Sequence, residues 1–448
     1  MRVHFIAIGG AVMHNLAIAL HEKGYVITGS DDEIFEPSRS RLEKHGLLPH
    51  KWGWDPSIID TGIDIVILGM HAKSDNPELL KARESGLKIM SFPEYLYEET
   101  KNKKRIVIAG SHGKTTTTAM IMHVFRALGI KFDYMVGSQI DGFDTMVGLS
   151  DEARVAVFEG DEYLTSVLDK RPKFHLYEPD IAILNGIAWD HMNVFPTFEN
   201  YIGQFRTFVQ KITDGGSLIY FDGDAEVRKI ALESKDSIRK IPYKVHGYFQ
   251  NKTGFYAATH NRVVPVKFFG EHNMQNLSAA KEVCLASGVT EDEFYEAIRS
   301  FEGTSRRLQK LNETEKGIVY LDFAHSPSKV KATVEAVISR YPAREIIACL
   351  ELHTYSSLNS EFLPLYRGTL ADAAYAFVYF NPHAIELKKL TYLSREAVGN
   401  AFGGENIKVY DNCEEMFSFI KSKKYQNPVY LLMSSGDFDG FDFNRLLE

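Results

Sequence analysis

Short apolar runs that end in glycine or a polar residue recur along the chain and constrain its fold more than any other feature. Helical patterns such as AVMHNLAIALHEKG separate these runs. Continuous apolar strands that alternate with helices are typical of parallel sheets covered on both faces. The sequence therefore predicts an α/β protein whose main strands are VHFIAI (Val3–Ile8), IDIVILGM (Ile63–Met70), RIVIAG, RVAVFEG, DIAILNG, IVYLDFAHSP, EIIACLELH, YAFVYFN and VYLLMSSG.

Chain length and local composition predict three domains. With about 100–200 residues per domain, 448 residues correspond to two to four domains. The polar stretch Glu98–Arg105 reads as a linker, and residues 243–269 alternate apolar and polar side chains like an antiparallel segment. We predict an N-terminal Rossmann-like domain (1–98), a central P-loop ATPase-like domain with a mixed sheet (99–303) and a C-terminal Rossmann-like domain (304–448).

Charge and cysteine content exclude several functional classes. A net charge of −8 argues against a nucleic-acid partner, which calls for a basic face. Cys284, Cys349 and Cys413 have no C-x-x-C spacing, so we expect buried or incidental thiols in a reducing compartment. No stretch approaches the roughly 20 apolar residues of a membrane helix, and the opening residues are too glycine-broken for a signal segment. We expect a cytoplasmic protein that acts on small molecules; the sequence predicts no oligomeric state.

The stretch GSHGKTTTT, from Gly110 onward, indicates a phosphate-binding turn. It follows an apolar strand and opens a helix, although the usual G-x-x-x-x-G-K-[ST] spacing would require glycine at Ile108. Gly110 and Gly113 allow close approach of phosphate, Lys114 can reach the β- and γ-phosphates, and Thr115 can bind Mg²⁺. The non-functional alternative is an exposed turn with a solvated lysine. The position of the turn between a strand and a helix favours the nucleotide site.

Polar side chains also follow the next two strands. Glu159, in RVAVFEG, comes just past the end of a strand, and Asp190-His191 comes past the end of the strand in DIAILNG. Because ligands of open α/β sheets bind at the carboxyl ends of the strands, we expect Lys114, Thr115, Glu159 and His191 along one edge. Carboxylates in this position beside a P-loop hold Mg²⁺, whereas a lone histidine is more often structural.

Several weaker features remain open when they are taken singly. The Gly9-Gly10 turn with Asp31 after the next strand is Rossmann-like but lacks G-x-G-x-x-G, so it indicates either a diphosphate site or a tight turn that binds nothing. The side-chain amides of Asn273 and Asn276 can either bind the edge of an adenine or pack within the protein. The basic pair Arg306 and Arg307 can either reach a γ-phosphate or stay solvated. Asp322 and His325 can either bind a ribose hydroxyl or have no ligand.

Taken together and in order, these motifs resemble those of the Mur ligase family, the ATP-dependent enzymes that join amino acids to UDP-N-acetylmuramate. The family loop G-T-H-G-K-T-T is matched with Ser111 in place of threonine, and the resemblance covers the whole chain. The remaining matches are E-A-D-E-Y/S-D at Glu159–Leu164, D-H-M at Asp190–Met192, H-N-x-x-N at His272–Asn276, R-R-φ at Arg306–Leu308 and D-x-x-H-x-P at Asp322–Pro327.

The resemblance implies that ATP and two Mg²⁺ ions assist the joining of UDP-N-acetylmuramate to a short peptide through an acyl phosphate. It implies these residues: catalytic Lys114, Glu159, His191 and Arg307; metal-binding Thr115, Glu159 and His191; ATP-binding Gly110, Ser111, His112, Gly113, Lys114, Thr115, Thr116, Asn273, Asn276, Arg306, Asp322 and His325; UDP-sugar-binding Gly9, Gly10, Ala11, Ser30, Asp31 and His71; and peptide-binding His353, Thr354 and Ser357.

Within the family, the loop GGAVMHNLA, the segment LDKRPKF and the tail MSSGDFDGFDFNRLLE most resemble the branch that attaches L-Ala-γ-D-Glu-meso-diaminopimelate in peptidoglycan recycling. The chain departs from that branch at Leu164, Ser326 and His353, where a carboxylate, a histidine and an arginine are expected. Arg206 lies in the helix where several other members carry a carbamylated lysine, which the alanine-adding and recycling branches lack. Three alternatives stay open: an L-alanine-adding ligase, a nicotinamide-dependent oxidoreductase built on Gly9-Gly10 and Asp31, and a non-catalytic UDP-sugar binder.

Overall fold

A computed structural model describes residues 1–251, 254–404 and 406–448. It is an α/β structure with parallel-rich sheets in its N-terminal, central and C-terminal regions, so the predicted fold class is confirmed. The chain forms two compact units: Met1–Ile187, Ile202–Lys244 and Ala279–Ala297 make the first, and Ala188–Tyr201, Val245–Ser278 and Ile298–Glu448 make the second. Neither unit equals one predicted domain, so the boundaries near 98 and 303 stay predictions.

The N-terminal sheet of the first unit is parallel, with the strand order β2-β1-β3-β4. Its strands run along apolar segments, and β3 is buried throughout because helices cover both faces. The elements are β1 (Arg2–Ile6), α1 (Ala11–Glu22), β2 (Val26–Ser30), α2 (Ser38–Lys44), β3 (Ile65–Leu68), α3 (Pro77–Glu84), β4 (Ile89–Ser91) and α4 (Phe92–Thr100).

The central sheet has the strand order β11-β10-β9-β5-β8-β6-β7 and is mixed, as predicted, because β7 pairs antiparallel with β6. The order places β5 between β8 and β9, so the turns that follow these three strands share one edge. The elements are β5 (Lys104–Ala109), α5 (Lys114–Ala127), β6 (Phe132–Met135), β7 (Val147–Gly148), β8 (Val155–Glu159), β9 (Ile181–Leu184), α6 (Phe198–Gln210), β10 (Ser217–Phe221), α7 (Ala225–Glu233) and β11 (Arg239–Tyr243).

The second unit holds two sheets. The antiparallel sheet β12-β13-β14 confirms the predicted excursion, and the larger sheet β15-β16-β20-β17-β18-β19 is parallel except for the pair β15–β16. The elements from residue 248 onward are β12 (Tyr248–Asn251), β13 (Gly254–Ala258), β14 (Val263–Val266), α8 (Glu271–Ala286), α9 (Glu291–Ile298), β15 (Gln309–Thr314), β16 (Gly317–Asp322), α10 (Pro327–Arg340), β17 (Ile346–Leu352), β18 (Tyr375–Phe380), α11 (Pro382–Leu387), α12 (Arg395–Phe402), β19 (Ile407–Tyr410), α13 (Cys413–Lys421) and β20 (Val429–Met433). Residues 279–297, in α8 and α9, belong to the first unit.

The predicted linker Glu98–Arg105 is wrong in most of its length. Helix α4 continues to Thr100 and β5 begins at Lys104, so only residues 101–103 connect them. Arg105 is buried, and its guanidinium donates to the carbonyl oxygens of Thr100 (3.1 Å) and Tyr177 (2.9 Å). The charged side chain of Arg105 therefore stabilises the junction between α4 and β5.

The three cysteines are free and buried, as expected. Among the residues that the structure describes, no helix combines the length and apolarity that crossing a bilayer requires.

Candidate functional site

The turn between β5 and α5 is a compact loop of four residues. Gly110 (φ 133°) and Gly113 (φ 76°) lie in the region that favours glycine, and the Ser111 N–H donates to the Gly186 carbonyl at 2.9 Å. A Cβ on Gly110 would lie 3.1 Å from the backbone N of Asn185, so the loop packs closely on the end of β9. The first N–H groups of α5 lack intrahelical partners and suit an anion.

Lys114, the first residue of α5, folds back over this loop. Its Nζ donates to the Gly110 carbonyl at 2.6 Å and to Glu162 Oε2 at 2.7 Å. Burial by itself would lower the pKa of Lys114, but the carboxylates of Glu162 and Asp161 outweigh it and raise the pKa. The lysine is therefore a charged group held inside the protein.

Thr115 contacts the carboxylate that ends β8. Its hydroxyl donates to Glu159 Oε1 at 2.9 Å, while the N–H of Gly137 donates to Oε2 at 2.8 Å. A Cβ on Gly137 would come within 3.0 Å of Oε1, so glycine gives the carboxylate its room. The strand order therefore brings Lys114, Thr115 and Glu159 together at one sheet edge.

The other predicted residues of the loop lie around this group. Ser111 and Thr116 are largely buried, and the His112 ring lies against Gly186, where an added Cβ would be 2.5 Å from its Cε1. Asn185 fixes α5 to the sheet: its side-chain amide donates to Thr117 Oγ1 at 3.2 Å and its oxygen accepts from the Tyr243 hydroxyl at 2.8 Å.

His191 lies in the second unit, so its predicted place beside Glu159 stays a prediction. Its φ is 55°, and its N–H donates to Asp190 Oδ1 at 2.8 Å. Asp190 Oδ2 lies 3.4 Å from Lys329 Nζ and 3.9 Å from His325 Nε2. Burial would raise the pKa of Asp190, but Lys329, His191 and His325 together hold it below its usual range. The pKa of His325 falls to about 3, chiefly through burial and then through Lys329.

The predicted adenine-binding amides are buried within the second unit. Asn273 donates to the Phe269 carbonyl at 2.8 Å, and Asn276 Nδ2 lies 3.4 Å from Asn273 Oδ1. Burial and these contacts fix both side-chain amides on the face of α8. Their contact with an adenine edge stays a prediction.

Asp322, predicted to hold a ribose, is used inside the fold. Its carboxylate accepts from the N–H groups of Leu308 and Ala324, both at 2.7 Å, and from the Thr333 hydroxyl at 3.2 Å. Asp322 therefore fixes the turn that follows Arg307 and the start of the loop that leads to His325, and its contact with a ribose stays a prediction.

The two arginines before β15 differ in their contacts. Arg306 donates to the carbonyl oxygens of Ser434 (3.3 Å) and Gly436, so its guanidinium ties together two loops of the C-terminal region. The Arg307 guanidinium lies 4.6 Å from the centre of the Phe323 ring. Arg306 thus stabilises the C-terminal region, and contact of Arg306 with ATP and of Arg307 with a phosphoryl group stays a prediction.

The predicted peptide-binding loop follows β17. His353 Nδ1 lies 3.6 Å from the buried carboxylate of Glu351, and a Cβ on Gly436 would come within 2.7 Å of that nitrogen. Ser357 is fully buried, and its hydroxyl donates to the Thr354 carbonyl at 3.1 Å. Ser357 therefore stabilises the loop, and the His353 side chain is 45% exposed. Contact of both residues with a peptide stays a prediction.

The Gly9-Gly10 turn of the N-terminal sheet is closed by Asp31. The Gly9 N–H donates to Asp31 Oδ2 at 2.7 Å. Burial is the main reason why the pKa of Asp31 rises to about 6, and Asp32 adds to it. Ala11 and His71 are exposed, as ligand-binding residues require.

Ser30 is the last residue of β2 and is buried. Its hydroxyl donates to both oxygens of Glu78, at 2.6 and 2.7 Å, within a buried group that includes His4. The fully buried Glu78 carboxylate needs such donors. Contact of Ser30 with a UDP-sugar stays a prediction.

The residues at the end of β8 fit a magnesium ion. Mg²⁺ is usually bound through one or two protein oxygens and substrate phosphates, and the Thr115 hydroxyl and Glu159 carboxylate supply two hard oxygens side by side. Among the described residues, no group of three or more His, Cys, Asp or Glu side chains is arranged to hold a metal by itself. This donor set therefore needs the phosphates to complete it.

Sequence reasoning missed three residues of these clusters. Glu162 holds Lys114, Asn185 anchors α5, and Lys329 pairs with Asp190. Only Glu162 had a signal, as the second glutamate of the E-x-D-E motif; the other two depend on tertiary packing.

Three Mur ligase models match the chain: the Mur ligase family catalytic domain at residues 2–104, the Mur ligase middle domain at 108–284 and the Mur ligase glutamate ligase domain at 306–436. The chain therefore belongs to the Mur ligase family, whose members are ATP-dependent ligases that form amide bonds. Membership of this family accounts for the P-loop residues, which have no role in the oxidoreductase alternative.

Individual relatives cover nearly the whole chain. A UDP-N-acetylmuramate–L-alanine ligase of Limosilactobacillus reuteri is 31% identical, and the alignment covers 98% of this chain and 97% of that ligase. A UDP-N-acetylmuramate–L-alanyl-γ-D-glutamyl-meso-2,6-diaminoheptandioate ligase of Haemophilus influenzae is 27% identical with the same coverage. The crystal structure of a UDP-N-acetylmuramate–alanine ligase from Thermotoga maritima matches with a TM-score of 0.71 at 20% identity, over 98% of this chain and 97% of that one.

Proposed function

We propose that this ligase joins the amino group of an L-Ala-γ-D-Glu-meso-diaminopimelate peptide to the lactyl carboxylate of UDP-N-acetylmuramate, with hydrolysis of ATP to ADP and phosphate. The observation that carries the ATP-dependent step is the pair of contacts at the start of α5, Lys114 with Glu162 and Thr115 with Glu159. These contacts hold a cation and a hard-oxygen site beside a glycine turn suited to phosphate.

The chemistry follows from the weakness of a carboxylate as an acylating group. The lactyl carboxylate attacks the γ-phosphorus of ATP, ADP leaves, and an acyl phosphate forms. The peptide amine then attacks the acyl carbon, and phosphate leaves from the tetrahedral intermediate. Lys114 and Arg307 would neutralise the charge that develops on the transferred phosphoryl group. Bound Mg²⁺ would add Lewis-acid stabilisation, held at Thr115 and Glu159, with a second ion at His191.

The ligands would divide among the three regions. The Gly9-Gly10 turn with Asp31, Ala11 and His71 would bind the UDP-sugar, and Asn273, Asn276 and His325 would bind the adenosine part of ATP. His353 and Thr354 would contact the peptide, because they border the exposed loop after β17. The reaction belongs in the cytoplasm, where ATP is available.

Support for a peptide as the amino component comes from the sequence. The LDKRPKF segment and the Val12-Met13 pair after Gly9-Gly10 resemble the tripeptide-adding branch, and the Haemophilus influenzae relative belongs to it by name. The second candidate is L-alanine, favoured by the 31% identity to the Limosilactobacillus reuteri ligase.

One experiment separates the candidates. The protein is incubated with ATP, Mg²⁺ and UDP-N-acetylmuramate, and L-alanine, the diaminopimelate tripeptide and a lysine-containing tripeptide are offered in turn. Products are read by mass and phosphate release. Tripeptide product with little L-alanine product is expected; the reverse preference would replace the proposal with the L-alanine ligase.

A further inference from the structure

The Lys114 ammonium is held by two acceptors in a buried position. Of its three N–H donors, one bonds to the Gly110 carbonyl and one to Glu162 Oε2. The exposed fraction of the side chain is 14% for Lys114 and 1% for Glu162. This arrangement uses two donors and leaves the third for a phosphoryl oxygen.

Glu162 comes from the same loop as the predicted magnesium ligand. It lies three residues after Glu159, and the two carboxylates contact consecutive residues of α5, Lys114 and Thr115. The loop is itself fixed, because Asp161 Oδ2 lies 2.5 Å from Lys173 Nζ. The loop after β8 therefore sets the position of two P-loop side chains at once.

We propose that Glu162 is a positioning residue of the ligase reaction: with the Gly110 carbonyl, it fixes the Lys114 ammonium so that the remaining N–H serves the phosphates of ATP. This inference rests on the proposed function. A lysine side chain loses rotamer entropy when its ammonium group is fixed by a ligand, and an ammonium group that is already fixed loses less. Donors that are already ordered do not need to reorganise when charge develops in the transition state.

A competing role for Glu162 makes the opposite prediction. If Lys114 had to leave Glu162 in order to reach ATP, the carboxylate would compete with phosphate and its removal would tighten nucleotide binding. That exchange would break a charged hydrogen bond of a buried carboxylate, which is costly. Retention of the pair during nucleotide binding avoids this cost.

The test uses the full-length protein with Glu162→Gln and Glu162→Ala. Affinity for a non-hydrolysable ATP analogue with Mg²⁺ is measured by calorimetry, and kcat and KM for ATP are measured where ligation is observed. Glu162→Ala should weaken analogue binding by about 10- to 100-fold, the range for loss of a charged hydrogen bond. Glu162→Gln keeps an acceptor of the same length but not the charge, so it should recover about half of that loss on a logarithmic scale and still bind about 3- to 10-fold more weakly than the wild type.

Asp169→Asn is the matched control, because Asp169 pairs with Arg171 at 2.7 Å in the same stretch of chain and should leave nucleotide affinity unchanged. Unchanged or tighter analogue binding by Glu162→Ala would overturn the proposal; if that variant does not fold, unchanged or tighter binding by Glu162→Gln would do so. Analogue binding does not require ligation. A wild-type protein that binds the analogue but forms no amide would therefore refute the proposed function and leave the role of Glu162 decided by affinity.

Discussion

The buried Glu351 carboxylate holds the exposed His353 imidazole at the carboxyl end of β17. Glu351 also accepts from the Ser434 hydroxyl and from the Phe438 N–H at 3.0 Å, so it is a fixed anchor. A 3.6 Å separation from His353 Nδ1 orients the ring and leaves Nε2 for a ligand.

Replacement His353→Ala should therefore weaken the binding of the peptide. We expect KM for the tripeptide to rise by about tenfold, because one polar contact is lost, while KM for ATP stays within twofold. Initial rates with each substrate varied in turn provide the measurement. His383→Ala is the control, since His383 is an exposed histidine beside Glu386. An unchanged tripeptide KM would remove His353 from the peptide site.

Lys114→Ala should abolish ligation and leave the fold intact. Loss of a preorganised charged donor typically lowers the rate by 10²–10³-fold or more. Phosphate release and product mass measure the rate, and circular dichroism checks the fold. Lys131→Ala, at an exposed lysine, is the control. Near-normal turnover by Lys114→Ala would refute the P-loop assignment.

Thr115→Val should raise the concentration of Mg²⁺ needed for half-maximal activity. Valine keeps the shape of threonine but lacks the hydroxyl that lies 2.9 Å from Glu159, so one of the two hard oxygens is lost. A titration of activity with Mg²⁺ measures the shift, and Thr118→Val tests a hydroxyl that bonds within α5 to the Lys114 carbonyl. Equal shifts in both variants would argue against a metal role for Thr115.

Gly186→Ala should raise KM for ATP by displacing His112. The new Cβ would lie 2.5 Å from the imidazole Cε1, which is closer than any stable contact, so the His112 ring must move. Gly203→Ala in α6 is the comparison, because an added Cβ meets no atom within 4 Å there and alanine favours helix by about 0.5–1 kcal/mol. If ATP kinetics were the same in both variants, the packing of His112 on Gly186 would not matter for nucleotide binding.

His325 should make the protein less stable as the pH falls from 6.5 to 4.5. Its pKa of about 3 in the fold lies below its ordinary value, so the unfolded chain takes up a proton that the folded chain does not. Stability is then lost by up to about 1.4 kcal/mol per pH unit. Thermal unfolding midpoints of the wild type and His325→Asn at several pH values test this, and the variant should show the smaller pH dependence. Parallel curves would contradict it.

The strands and the P-loop were predictable because their signals are local. Strands buried on both faces, such as β9 and β17, are continuous apolar runs, and a glycine turn between strand and helix marks a phosphate site. Glu98–Arg105 failed because charged letters suggested a linker. The capping box of Ser91 and Glu94 begins α4 a few residues before this stretch. The Arg105 guanidinium donates to backbone carbonyls that include that of Tyr177, 72 residues along the chain.

Three of the predicted site residues have contacts that the sequence does not reveal. Ser30, Asp322 and Ser357 lie near strand ends or in loops where ligands are expected, and each also bonds to an internal partner. A sequence shows which residue can hydrogen-bond, but it does not show whether a buried neighbour already claims it. Glu162 is the opposite case: sequence reasoning did not assign it to the site, because its partner Lys114 lies 48 residues away in the chain.

The anchoring of α5 by Asn185 has a consequence for inhibitor discovery. Because one amide ties the helix to β9 and, through Tyr243, to β11, side-chain hydrogen bonds as well as the glycine turn fix the start of α5 on the sheet. A compound that complements this turn would therefore meet backbone donors whose position Asn185 helps to set.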